Sequence, residues 1–153
     1  MINPLSCIYD VRENGPDRSK PVGSPVSEKL RVLVVDDQEP TRQGLKALLG
    51  FVEDIEVVQG ACNGWEALHM VAEEQPDVVL MDVRMPIMDG LDATRQIKAR
   101  WPQVKVIVMT MYASHQEEAL AAGADGVVLK GTDYGSLEDV IRKVASYDEQ
   151  ITG

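Results

Sequence analysis

Residues 32–37 read Val32-Leu33-Val34-Val35-Asp36-Asp37, four consecutive apolar side chains followed by two carboxylates. A strand with one face in water alternates apolar and polar residues. A run that is apolar at every position is buried on both faces, as in a parallel sheet covered by helices on each side. The pattern returns at 55–58, 78–81, 104–109 and 127–129, the runs at 55–58 and 104–109 being the least continuous. Segments of helical period lie between them. Leu45, Leu48, Leu49 and Val52 fall at i, i+3, i+4 and i+7, as do Leu137, Val140, Ile141 and Val144, so each set predicts one apolar helix face. Ser114 with Glu117 has the spacing of a capping box, and Asn63 with Glu66 is a weaker version of it. Gly50 and Gly123 stand where helices should stop. Five βα units in succession predict an α/β fold around one parallel sheet.

The rest of the chain sets the bounds. Its 153 residues, 44% hydrophobic, suffice for one well-filled core, expected over 30–147. Residues 1–29 hold four of the eight prolines and show no apolar period, so they are expected to be a flexible N-terminal tail. Residues 148–153 are expected to be a short C-terminal tail. The tail's four acids balance its four bases, which leaves the whole net charge of −10 on 30–153, as 21 acids against 11 bases. Such a surface offers nothing to neutralise nucleic-acid phosphates or anionic lipid, so no direct nucleic-acid or membrane binding is expected. Cys7 and Cys62 form no C-x-x-C pair, and only His69 and His115 add nitrogen donors, so neither a disulfide framework nor a zinc site is readable. With no secretory signal and no span-length apolar run, a cytoplasmic location is expected.

The polar residues that end these runs carry the chemistry. Asp36 and Asp37 end the first, Asp82 the third, Thr110 the fourth and Lys130 the fifth. In an open parallel sheet all carboxyl ends lie along one edge, where ligands bind at the switch in strand order, so one pocket can hold all five. Taken singly, each has a structural explanation: adjacent acids cap helices, Asp89-Gly90 turns the chain, and a lysine after a strand is solvated. Their shared placement outweighs this. Three acids at one edge repel one another unless a cation sits among them, and oxygen donors without His or Cys suit Mg²⁺. A dinucleotide site is disfavoured, since no G-x-G-x-x-G follows Val35. A phosphatase of the haloacid dehalogenase type usually carries D-x-D, which Asp36-Asp37-Gln38 does not match.

The run Val32 to Asp37, the segment Met81-Asp82-Val83-Arg84-Met85-Pro86 with Met88-Asp89-Gly90, Thr110, and Ala122-Gly123-Ala124-Asp125-Gly126 ahead of Lys130 together resemble the response-regulator receiver family, over residues 30 to about 147. The Thr110-Met111-Tyr112 and Gly-Ala-Asp-Gly segments look most like its nitrate-regulator (NarL-like) branch. The resemblance implies a doubly wound, flavodoxin-like α/β fold with a five-stranded parallel sheet of order 2-1-3-4-5. It implies that Asp82 takes a phosphoryl group from a phosphohistidine on a sensor histidine kinase or phosphotransfer protein. Mg²⁺ would be held by Asp37, Asp82 and the Arg84 backbone carbonyl, with Asp36 acting through a metal-bound water; Thr110 and Lys130 would hold phosphoryl oxygens. On this reading the domain is no turnover enzyme, passes its state to a downstream protein, and leaves homodimerisation open. A phosphorylation-independent interaction module, or half of a NarL-like transcription regulator, is the alternative. Two departures stand out: Val127 occupies the place, three residues before Lys130, where receivers usually carry Tyr or Phe, and Gly153 leaves no room for a helix-turn-helix after the fifth helix. Tyr112 is the nearest aromatic that could respond instead.

Overall fold

The computed structural model describes residues 29–131 and 135–152. Strands β1 (Leu30–Val35), β2 (Ile55–Ala61), β3 (Val78–Asp82), β4 (Lys105–Thr110) and β5 (Gly126–Leu129) alternate with helices α1 (Glu39–Gly50), α2 (Gly64–Glu74), α3 (Gly90–Arg100), α4 (His115–Ala121) and α5 (Gly135–Thr152). All neighbouring strands pair in parallel, in the order β2-β1-β3-β4-β5. This is the doubly wound fold expected from the sequence. The continuous apolar runs are explained by it, because alternate residues of each strand enter one of two cores. Leu33, Val35, Val79, Met81, Val106 and Val108 pack with α2, α3 and α4. Val32, Val34, Leu80, Ile107 and Met109 pack on the other face with Leu45 and Leu49 of α1 and Leu137 and Ile141 of α5.

Where strands differ from the apolar runs, the causes are local. The second run extends past Val58, which is the extra residue of a bulge in β2: Val32 pairs with Val57 and Leu33 with Gln59, so that Gln59 and Gly60 still pair with β1. Gln59 is nevertheless buried. β3 includes Asp82 and β4 includes Thr110, so both polar residues are held by sheet hydrogen bonding rather than by a following loop.

The helix signals fared unevenly. Asn63 caps α2, its Oδ1 accepting from the Glu66 N–H at 2.8 Å, but the Glu66 carboxylate turns to the Cys62 N–H instead of closing the box. Asp89 caps α3 through the Asp92 N–H at 2.9 Å. Ser114 does not cap α4: its backbone is already helical (φ −64°, ψ −21°), whereas a capping side chain needs an extended residue to reach forward. The His115 and Gln116 N–H groups donate to the carbonyls of Tyr112 and Ala113 instead. On α1, Leu45 and Leu49 are buried while Leu48 is 39% exposed, and Val52 reaches the core from beyond the helix end. The fifth helix keeps its expected face and runs on through 148–152, which the sequence suggested as a tail. The N-terminal tail up to residue 28 lies outside the described residues. Among those described, no helix is long and apolar enough to cross a membrane.

The contrast on α1 is testable. Leu49→Ala should cost about 2–5 kcal/mol of unfolding free energy, as for other buried leucines. Leu48→Ala should cost well under that, and urea titrations of the two variants measure the difference.

Candidate functional site

The strand order reverses around β1, since β2 lies on one side of it and β3 on the other, and this opens a crevice at the carboxyl ends. Asp36 and Asp37 enter it from the end of β1 and Asp82 from the end of β3. One oxygen from each of the three carboxylates can be chosen so that all lie within 4.8 Å of one another. Lys130, following β5, reaches across β4: its Nζ donates to Asp82 Oδ1 at 2.8 Å and to Asp36 Oδ2 at 3.3 Å. Its backbone N–H donates to the Thr110 carbonyl at 2.7 Å, which ties the β5 end to the β4 end. Thr110 stands one position beyond Met109, the residue that pairs with Asp82.

Backbone and neighbouring helices hold these groups in place. Asp82 Oδ1 also accepts from the Val83 N–H at 3.0 Å, while Oδ2 has no hydrogen-bond partner among the described residues and the side chain keeps 11% exposure. Both Asp36 oxygens are engaged, Oδ1 by the Gln38 N–H and Oδ2 by Lys130. Asp37 has no hydrogen-bond partner among the described residues. The buried Arg42 of α1 donates from its Nη1 to the Asp36 carbonyl at 2.7 Å, and so fixes the turn that presents the two acids. Its side chain lies over Gly60, where a Cβ would meet Arg42 Cδ at 3.1 Å. Gly90 is required more strictly. A Cβ there would stand 1.8 Å from the Asp82 carbonyl oxygen, so only glycine lets the start of α3 press against the end of β3.

The electrostatics are unbalanced in one direction. Burial raises the proton affinity of the Asp82 carboxyl, the Asp36 charge adds to this, and the Lys130 and Val83 hydrogen bonds oppose it without cancelling it. Burial works against the Lys130 ammonium, but its bonds and charge attraction to Asp82 and Asp36 prevail and raise its pKa. Three carboxylates and one ammonium carry a formal charge of −2; Asp82 is raised first by burial and then by the Asp36 charge, and Lys130 is raised by its bonds and attraction to both acids. An all-oxygen donor set short of two positive charges fits a hard divalent cation such as Mg²⁺.

The structure therefore brings together Asp36, Asp37, Asp82, Thr110 and Lys130, all chosen from sequence. Arg84 points elsewhere with its side chain, the guanidinium lying 5.1 Å from the centre of the exposed Tyr112 ring. Sequence reasoning missed Arg42 and His115. His115 Nδ1 lies 2.7 Å from Thr110 Oγ1, and its ring meets the Tyr112 ring edge-on at 5.3 Å. A hydrophilic residue at a helix start carries no signal of such contacts.

Comparison with known proteins agrees with this geometry. Residues 32–142 match the family described as response regulator receiver domain. The response regulator protein VraR of Staphylococcus aureus is 42% identical over 118 residues, covering 76% of this chain and 56% of its own. The chain thus spans little more than half the length of that curated relative. Among solved structures, a LuxR-family two-component response regulator from Aurantimonas sp. SI85-9A1 is 30% identical with a TM-score of 0.74, covering 78% of this chain and 86% of its own. The signal receiver domain of the putative response regulator NarL from Mycobacterium tuberculosis is 29% identical with a TM-score of 0.75, covering 79% and 99%.

The raised proton affinity of Asp82, due first to its burial, generates a stability prediction. An acid whose folded-state pKa lies above its unfolded value favours folding only while protonated, and costs stability as pH rises through that folded pKa. Asp82→Asn cannot ionise. Without divalent cations it should therefore unfold at a higher urea concentration than the wild type at pH 7. The advantage should shrink as pH falls below the range in which Asp82 ionises.

Proposed function

The chain belongs to the response regulator receiver family, NarL-like branch, and from that premise we propose that it accepts a phosphoryl group on Asp82 in a Mg²⁺-dependent reaction. The observation that carries the reading is the division of labour on the Asp82 carboxylate. Oδ1 is held by Lys130 and by a backbone N–H, while Oδ2 has no partner among the described residues and is left for an incoming phosphorus. The donor is a phosphohistidine on a sensor kinase or phosphotransfer protein. Its phosphorus–nitrogen bond breaks as the Oδ2–phosphorus bond forms, and the imidazole leaves with its electron pair. Lys130 then stands beside the new acyl phosphate and shares its ammonium hydrogens with phosphoryl oxygens. The Thr110 hydroxyl donates to another. Such transfer asks the protein mainly for alignment and charge compensation.

Asp37 and Asp82, with the Arg84 backbone carbonyl, would hold Mg²⁺, which supplies further positive charge to the phosphoryl oxygens. Asp37 is the better direct ligand because its oxygens are uncommitted, whereas both oxygens of Asp36 already accept hydrogen bonds. Asp36 would act on the ion indirectly, through a water. The domain works in the cytoplasm as a switch that retains one phosphoryl group, turning over no external substrate and passing its state to a downstream protein. That it lacks a surface for direct DNA contact rests on the −10 net charge.

Incubation with acetyl phosphate and Mg²⁺ followed by intact-mass measurement tests the reading. The wild type should gain one phosphoryl group and Asp82→Ala none; an unchanged gain in that variant would exclude Asp82 as the acceptor. Mg²⁺ titrations extend the test to the ligands. Losing a group that only orients a metal's ligands costs about 10–100-fold in affinity, so Asp37→Ala should exceed Asp36→Ala, and equal losses would contradict the assignment.

A further inference from the structure

Thr110 is 2% exposed, and its hydroxyl has one proton to donate and two lone pairs. One lone pair accepts from the Tyr112 N–H at 3.1 Å. Among the described residues the hydroxyl's other partner is His115 Nδ1, at 2.7 Å. A buried hydroxyl needs an acceptor for its proton, so the network assigns Nδ1 as that acceptor and puts the imidazole proton on Nε2. A phosphoryl group beside Thr110 changes this count. Its oxygens only accept, and they draw the single hydroxyl proton toward themselves. The 2.7 Å contact then survives only if Nδ1 becomes the donor.

We propose that His115 is a positioning residue that reads the state of Asp82: its Nδ1 accepts from Thr110 Oγ1 in the free protein and donates to the same oxygen once a phosphoryl group is present. The proposal rests on the reading of Asp82 as phospho-acceptor. The proton balance is closed, because one proton leaves Nε2 for water as another reaches Nδ1 from water, and the ring stays neutral. The location makes the change consequential. His115 is the first residue of α4, its N–H donates to the Tyr112 carbonyl, and its ring lies against the exposed Tyr112 ring, which also carries the Arg84 contact. A reversal at this one hydrogen bond thus reaches α4 and a surface aromatic without help from Val127, which is too short and too stiff at χ1 to swing between sites.

Beryllofluoride with Mg²⁺ supplies the test, its fluorines standing in for acceptor phosphoryl oxygens. In protein labelled with ¹⁵N at histidine, His115 Nδ1 should resonate in the unprotonated range when free and move to the protonated range on beryllofluoride addition. His115→Phe keeps an aromatic edge but no hydrogen bond, and should lose the ligand-induced amide shifts over 115–121 while keeping those at Asp82 and Lys130. His115→Asn, which can turn either an oxygen or an NH₂ toward Thr110, should restore them. A His115 ring that stays unchanged while the Asp82 and Thr110 amides shift would overturn the proposal alone, as would full 115–121 shifts in His115→Phe. No shift at Asp82 or Thr110 in the wild type would overturn the phospho-acceptor reading and this proposal with it.

Discussion

The ion pair between Lys130 and the carboxylates of Asp82 and Asp36 is the contact on which the rest of the site depends. It joins residues 48 and 94 positions apart in sequence, at 2.8 Å and 3.3 Å. Through these contacts the ends of β1, β3 and β5 are held to one another by side chains as well as by the sheet. The pair is also incomplete. One ammonium faces three carboxylates, and the residual negative charge in the crevice is what the proposed Mg²⁺ would offset.

That arrangement imposes demands on the backbone behind it. Asp82 stays at the mouth of the crevice because Gly90 lets α3 close against its carbonyl, and the Asp36–Asp37 turn keeps its shape because Arg42 reaches over Gly60 to bind the Asp36 carbonyl. Small residues at two positions therefore allow a helix terminus and a buried guanidinium to approach the sheet edge. Neither Gly60 nor Gly90 adopts a positive φ, so it is the missing Cβ rather than a special dihedral that matters at both.

Much of this was legible in the sequence, and the failures share a physical origin. Unbroken runs such as 32–35 and 78–81 declared a sheet buried on both faces, and the polar residues after them declared a common edge. Both readings depend only on the period of a strand and the direction of a parallel sheet. The helix begins after Ser114 as expected, but the capping box does not form, because S-x-x-E spacing says nothing of the backbone dihedral that decides whether the serine can reach forward. Leu48 was misread because a face defined by i, i+3, i+4, i+7 is wider than the strip of α1 that the sheet covers. Arg42 and His115 were invisible for a third reason: their partners are chosen by tertiary approach, and neither residue type at a helix start announces a target.

The central claim is that one carboxylate at this edge, Asp82, is the nucleophile, and that its neighbours serve charge and alignment. Borohydride reduces an acyl phosphate of aspartate to homoserine, so reductive trapping after phosphodonor treatment, followed by peptide sequencing in a mass spectrometer, reads the position directly. The account predicts homoserine at position 82 and unmodified aspartate at 36 and 37. Homoserine at 36 or 37, or none in protein that has gained phosphoryl mass, would contradict it.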